Sequence, residues 1–177
     1  MRTKEEQEAI NKACKYHPET KEELQELVDD PKVYLGEIDT SKITDMYDLF
    51  FCSKREDFSG IEKWDVANVT DMYGMFDGCK NFNQDISAWD VSKVKNMSFM
   101  FEDCEKFNQP LNDWNVREDC DIHRMFTNTS QTYENVKEVF TEKQLLDSCS
   151  EKIIEALNNK KEQIEVQKVT VKQGRGR

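Results

Sequence analysis

The chain has 177 residues, of which 36 are acidic and 25 basic, so its net charge is −11. This charge argues against direct binding to the phosphates of nucleic acids, and the length excludes a miniprotein held together by disulfides. The ten Phe, seven Met and three Trp residues predict a folded chain, because disordered acidic chains lack such side chains.

The six cysteines are spread along the chain without a C-x-x-C pair, which predicts reduced thiols in a cytosolic protein. The first twenty residues contain no apolar leader, and no run of eighteen apolar residues occurs. We therefore expect a cytoplasmic protein as the sequence is written, with no membrane contact. Removal of a leader peptide would instead permit display at the cell surface.

Two helices are predicted in an N-terminal helical cap over residues 1–37. The segments Thr3–Glu6 and Thr20–Glu23 both match the S/T-x-x-E capping box, which marks the start of a helix. The second helix carries Leu24, Leu27 and Val28 on one side. We expect this side to cover the apolar end of the segment that follows.

A repeat of about twenty-five residues occupies residues 38–126. Trp64, Trp89 and Trp114 recur at intervals of twenty-five, and Ile38 precedes the first of them by twenty-six. Other apolar columns repeat in register, among them Thr40/Val66/Val91/Val116, Met46/Met72/Met97/Ile122 and Phe50/Phe76/Phe101/Phe126. Such a period is typical of stacked coils that share one core.

The spacing within each coil predicts its local structure. Ile86, Trp89, Val91 and Val94 follow the leucine-rich-repeat spacing, in which the central residues alternate as a short strand. Met97, Met100 and Phe101 recur at i, i+3 and i+4, which favours a helical turn. The expected fold is therefore an α/β repeat solenoid, leucine-rich-repeat-like, with four coils of a short strand plus a short helix.

A C-terminal helical cap is predicted over residues 127–163. Ser130 or Thr132 can begin one helix, and Thr141 can begin another over about 142–161 with apolar residues at helical spacing. Residues 164–177 are expected to form a strand at most, over 164–171, followed by a disordered basic tail.

The repeat strings WDVANVTDMYGMFDGCKNFNQDISA and WDVSKVKNMSFMFEDCEKFNQPLND resemble the BspA-like repeat, also called the mycoplasma lipoprotein-associated repeat. The resemblance covers about residues 35–126. It implies a bacterial, leucine-rich-repeat-related protein that serves in adhesion and protein binding rather than catalysis, and that is often displayed at the surface.

The outward-facing positions around each predicted strand are the candidate partner-binding residues. They are Asp39, Ser41, Lys63, Asp65, Asp90, Ser92, Asp113, Asn115 and Arg117. Stacking would bring Asp39, Asp65 and Asp90 into file, where the carboxylates repel one another unless they are paired. The alternative interpretation is that each Asp accepts a hydrogen bond from its own turn.

Other polar residues in the repeats have structural interpretations. Asp45, Asp71 and Asn96 are expected to cap the helical segments, and the Phe-Asn-Gln units are expected to form a ladder of stacked amides. The Cys79/Cys104 column permits either a disulfide or free thiols, of which the sequence favours the free thiols. Cys120 and His123 lack the second pair of ligands that a metal site requires.

The sequence predicts a non-enzymatic protein-protein interaction module. Only two histidines are present, and no phosphate loop or nucleophile motif occurs, so we expect no catalytic residues, cofactor or metal. The acidic field favours a protein partner with a basic surface over direct nucleic-acid binding. The alternatives are an acidic inhibitor that mimics a nucleic acid and a bacterial surface adhesin, and the oligomeric state is left open.

Overall fold

The computed structural model describes residues 3–148 and 150–174, except for the side chains of residues 165–174. Its α-helices are α1 (Lys4–Ala13), α2 (Lys21–Asp29), α3 (Glu142–Asp147) and α4 (Glu151–Gly174), and short 3-10 helices lie at Leu35–Glu37, Ile61–Lys63 and Tyr133–Asn135. The coils that begin at Ile38, Trp64, Trp89 and Trp114 are called coils 1 to 4 below.

The expected α/β repeat solenoid is wrong, because the described residues contain no β-strand and coils 1 to 4 contain no α-helix. Successive coils meet only at isolated parallel bridges, which join Asp45 to Asp71, Asp71 to Asn96 and Asn96 to Asp121. The coils are therefore not of the leucine-rich-repeat type. They are chains of tight turns.

Local hydrogen bonds explain why the predicted strand does not form. The backbone N–H of Ser92 donates to the side chain of Asp90 at 3.1 Å, and the N–H of Val94 donates to the carbonyl of Val91 at 3.0 Å. In a sheet, such backbone N–H groups would have to donate to carbonyls of a neighbouring strand. Because the donors are used within the coil, the alternating apolar residues mark a turn.

Left-handed residues explain why the predicted helical turns do not form. Two equivalent positions in every coil have positive φ, and they are occupied by Asp48/Gly74/Phe99/Arg124 and by Cys52/Gly78/Asp103/Asn128; coil 1 has a third such residue, Gly60. A residue in this conformation ends a right-handed helix. The apolar spacing of i, i+3 and i+4 is instead met by consecutive i to i+3 turns, such as Met46 to Leu49 and Phe50 to Ser53.

Neighbouring coils are joined by a ladder of backbone hydrogen bonds. The N–H groups of Met46, Asp48, Phe50 and Cys52 donate to the carbonyls of Asp71, Tyr73, Met75 and Asp77 at 2.7 to 2.9 Å. Coil 2 donates to coil 3 in the same way, and coil 3 donates to coil 4. The stack is therefore held together at alternate residues although it has no sheet.

The predicted register of the aromatic columns is confirmed. The indole N–H groups of Trp64, Trp89 and Trp114 donate to carbonyls of the preceding coil or its flanking turn, at 2.8, 3.1 and 3.0 Å. The rings of Phe50, Phe76, Phe101 and Phe126 stack in file with centroids 5.4, 5.7 and 6.1 Å apart. These buried side chains form one continuous core.

Helices close both ends of the stack. Leu24 and Val28 of α2 are buried in the core, and the side chain of Gln25 donates to the carbonyl of Leu49 at 3.0 Å, which confirms the predicted covering role. At the other end, the N–H groups of Arg124 and Phe126 donate to the carbonyls of Asp147 and Ser148.

The C-terminal region differs in detail from the prediction. Thr141 begins a helix with a complete capping box, but this helix ends at Asp147 and α4 begins at Glu151. A 3-10 helix at Tyr133–Asn135 replaces the helix expected near residues 133–140. Helix α4 continues through the proposed strand at 164–171, and the predicted disordered tail lies partly outside the described residues, at 175–177.

Candidate partner-binding face

The file of aspartates at the start of the coils is bound first to its own turns. One carboxylate oxygen of Asp39, Asp65 and Asp90 accepts the backbone N–H two residues further on, at 3.0, 3.1 and 3.1 Å. The alternative interpretation from the sequence is therefore correct for these oxygens. The same bonds hold each side chain in a fixed orientation, which leaves the second oxygen directed away from its turn.

The second carboxylate oxygens of these aspartates have different neighbours. That of Asp39 lies 3.2 Å from Nδ1 of His17, and that of Asp65 accepts a hydrogen bond from the Asn11 side chain at 3.0 Å. No such partner is found for Asp90 among the residues that the structure describes. Asp90 is consequently the member of the file whose second oxygen is open to another molecule.

Helix α1 crosses the start of coil 2. The side-chain amide of Gln7 donates to the carbonyl of Lys63 at 3.0 Å, and that of Asn11 donates to Asp65. No residue of α1 is buried, so the helix is held on this face by polar contacts. This arrangement could not be predicted from the sequence, because hydropathy marks only the contacts that bury apolar side chains.

A groove of about 810 Å³ lies between α1 and the coils. The coil residues that line it include Ser41, Trp64, Asp65, Ala67, Ala88, Asp90 and Lys93. Three of the residues predicted from the sequence, Ser41, Asp65 and Asp90, are thus brought together in one concave site.

The remaining predicted residues do not line this groove. The ammonium group of Lys63 turns away to Tyr34, 5.3 Å from the ring centroid. Asp113 and Asn115 are exposed on either side of Trp114, at the start of coil 4, and Ser92 is half-buried on coil 3. Arg117 makes two hydrogen bonds of 2.8 Å to Asp119, and this guanidinium lowers the pKa of Asp119.

The three residues predicted to cap helices close turns instead. Asp45, Asp71 and Asn96 accept hydrogen bonds from the backbone N–H two residues on, at 2.8, 2.9 and 3.1 Å. The predicted helix caps are wrong because no helix follows them.

The predicted amide ladder is present on another side of the stack. Asn83 accepts hydrogen bonds from the N–H of Asn108 and from the side chain of Gln109, and Asn108 accepts one from Asn135. These groups satisfy one another and are thus structural.

Acidic side chains crowd a different part of the surface. The pKa of Asp77 is raised to about 6, first because the carboxyl is partly desolvated and then because Glu102, Asp103 and Asp48 lie near it. Arg124 forms an ion pair with Glu102 and offsets part of this charge.

The thiols of the cysteine column are free and buried. Cys79 donates to the carbonyl of Phe50 and Cys104 to that of Phe76, both at 3.0 Å. Burial raises the pKa of Cys79 to about 12 and also raises that of Cys104. In the described part of the chain, Cys120 and His123 do not join a group of three or more side chains able to hold a metal.

Within the described residues, no helix has both the length and the apolar character needed to cross a membrane.

A family model described as "Mycoplasma protein of unknown function, DUF285" matches residues 22–140. The family model that matches is this Mycoplasma family and not a BspA-like leucine-rich-repeat family. No curated protein and no solved structure matches the chain.

Proposed function

The chain belongs to the DUF285 family of Mycoplasma proteins, and from this premise we propose that it is a non-enzymatic module that binds a protein partner. The partner contacts the outer face, which is defined as the groove beside α1 together with Ser92, Asp113, Asn115 and Arg117. The groove supports this proposal most strongly, because it gathers three outward side chains above a rigid floor.

The rigidity of the floor favours recognition. The turns that carry Asp65 and Asp90 are closed by their own carboxylates, and the coils beneath them are joined by the backbone ladder. A surface that is already ordered loses little conformational entropy when a partner binds. Outward residues of such a stack also vary without disturbing the core.

The charge of the outer face favours a basic partner. Asp90 lies at the start of coil 3 and Asp113 directly before coil 4, and the whole chain carries a net charge of −11. A field of one sign attracts an oppositely charged surface and increases the association rate more than the affinity. We therefore expect binding to weaken as salt is raised.

Site-specific photo-crosslinking in the native cell tests this proposal. A photoreactive amino acid is placed at Ser92 or Asn115 on the outer face, and at Lys106, which is exposed on the side of the amide ladder, as the matched control. The expected result is one protein adduct of the same mass from positions 92 and 115, and none from 106. Absence of an adduct at both outer positions, or equal labelling from 106, would refute the proposal.

A further inference from the structure

Helix α1 already occupies part of the outer face and shows what this face accepts. Gln7 and Asn11 lie one helical turn apart, and their amides donate to the Lys63 carbonyl and to Asp65. A helix with donors at i and i+4 therefore matches the acceptors at the start of a coil, since such residues share one side of a helix.

The repeat presents the same acceptors again on coil 3. Ala88 and Asp90 are the equivalents of Lys63 and Asp65, and Asp90 closes the same turn as Asp65 does. Among the described residues, no donor is found on the Ala88 carbonyl or on the second oxygen of Asp90. The pair of acceptors that α1 uses on coil 2 is thus unoccupied on coil 3.

The spacing of the stack leaves room for a second helix. Hydrogen-bonded neighbouring chains lie about 4.8 Å apart, and packed helices lie about 8–10 Å apart. A second helix cannot take the position of α1 one coil further on, because the two helices would then lie only about 4.8 Å apart. It would instead lie about two coils further on and donate to Asp90 and the Ala88 carbonyl from the side that faces α1, across the groove.

An extended segment does not match this face. A pairing strand needs both N–H donors and carbonyl acceptors along an edge. The N–H groups of Ala67 and Ser92 are already used by Asp65 and Asp90. Because mainly acceptors remain, the partner must bring its donors on side chains.

We infer that the partner segment is an α-helix that lies beside α1 and donates from Gln, Asn, Lys or Arg side chains, one turn apart, to Asp90 and the Ala88 carbonyl. This inference rests on the proposed function and adds the conformation and chemistry of the bound segment. Helix α1 then forms one wall of the binding site.

A stapled peptide with the sequence of α1 is the probe. It spans residues 3–14, carries a fluorescent label and Cys14→Ser, and is stapled through positions 5 and 9, away from Gln7 and Asn11. The control peptide has Ala in place of Gln7 and Asn11. Binding to the full chain is measured by fluorescence anisotropy.

Two protein variants locate the bound peptide. Asp90→Asn and Asp71→Asn both keep the oxygen that closes the turn and replace the second oxygen by an amide nitrogen, but Asp71 does not line the groove. Coil 4 naturally carries Asn115 at the position of Asp90. We expect at least fivefold weaker binding for the control peptide and for Asp90→Asn, and little change for Asp71→Asn. Lack of saturable binding, unchanged affinity of Asp90→Asn, or an equal loss for Asp71→Asn would overturn the inference.

Competition separates this inference from the function on which it rests. The unlabelled stapled peptide is added to cell extract before photo-crosslinking from position 92. Loss of the adduct supports a helix in the groove. An adduct that persists at saturating peptide overturns the helix but leaves the protein-binding function standing.

Discussion

Asn11 and Asp65 are 54 residues apart in the chain, and the side-chain amide of the first donates to the carboxylate of the second at 3.0 Å. This bond and that of Gln7 to Lys63 attach α1 to the outer face without burying any residue of the helix. The helix is short, and isolated helices of this length are marginal in water. The backbone just after the helix is also anchored, since the N–H groups of Lys15 and Tyr16 donate to the Glu37 carbonyl. We therefore expect the order of α1 to depend in part on the two side-chain bonds.

The double variant Gln7→Ala, Asn11→Ala tests this dependence. Each hydrogen bond contributes on the order of 1 kcal/mol, so we expect hydrogen exchange of the α1 amides to become about tenfold faster or more. The melting temperature should change little, because the core is untouched. Lys12→Ala on the exposed side of α1 is the control. Unchanged exchange in the double variant would mean that other contacts hold the helix.

The tryptophan register gives a second prediction. The Trp89 indole is buried, and its N–H donates to the Ile61 carbonyl at 3.1 Å. Trp89→Phe removes this donor and leaves a small cavity, so unfolding in urea should require about 2 kcal/mol less. Tyr73→Phe, which changes a half-buried surface ring, should cost under about 0.5 kcal/mol. Equal effects of the two substitutions would contradict the stacked arrangement.

A positive backbone angle at Gly60 gives the third prediction. Gly60 has φ of 93°, and an added Cβ would lie 2.2 Å from the backbone nitrogen of Gly36. Because backbone cannot move aside cheaply, Gly60→Ala should destabilise the chain by about 2–3 kcal/mol. Gly36→Ala is the matched control, since the nearest atoms to its Cβ belong to the exposed side chain of Tyr34, which can shift more readily than backbone. A larger loss for Gly36→Ala, measured by urea unfolding, would contradict this assignment.

The aromatic columns and three helix starts could be predicted from the sequence because each has its own local signal. Thr3, Thr20 and Thr141 all cap their helices through the side chain, as their capping motifs indicate. The buried tryptophans repeat at a fixed interval, which only a regular stack explains.

The structure within each coil could not be predicted in the same way. Apolar residues at i, i+3 and i+4 are shared by a helix and by consecutive turns. Positive φ decides between them. Gly74 and Gly78 signal this conformation, and Asp or Asn does so more weakly, but Phe99 and Arg124 adopt it with no signal in the sequence. The groove was missed because α1 binds through amides, which carry no periodic hydrophobic signal.

Asp77 gives a prediction for the pH dependence of stability. Its folded pKa of about 6 lies above the value of about 3.9 expected for an unfolded chain, so the folded protein binds this proton more tightly. The contribution to stability is full below the unfolded pKa and is lost as pH rises through 6. Asp77→Asn should therefore be more stable than the parent at pH 7.5, by about 1 kcal/mol after solvent screening, and near parity at pH 4.

Urea unfolding of both proteins between pH 4 and 8 measures this difference. Asp85→Asn is the control, because hydrogen bonds from Ser87 lower the pKa of Asp85. Because the pKa of Asp85 is lowered on folding, its carboxylate stabilises the folded protein at pH values above the pKa of the unfolded chain. This stabilisation is lost only as the pH falls below that pKa. A difference for Asp77→Asn that does not change between pH 4 and 8 would show that this carboxyl does not titrate as described.

Thiol labelling distinguishes the free cysteines from a disulfide between Cys79 and Cys104. Cys52 is exposed, whereas Cys79 and Cys104 are buried and their thiol pKa values are raised, so almost no thiolate is available for reaction. In native buffer, iodoacetamide should modify Cys52 within minutes and leave Cys79 and Cys104 untouched. In denaturant without a reducing agent, both should then react, since each carries a free thiol. If mass spectrometry of freshly prepared protein instead showed that Cys79 and Cys104 react only after reduction, the hydrogen bonds of these thiols to Phe50 and Phe76 could not both exist in solution.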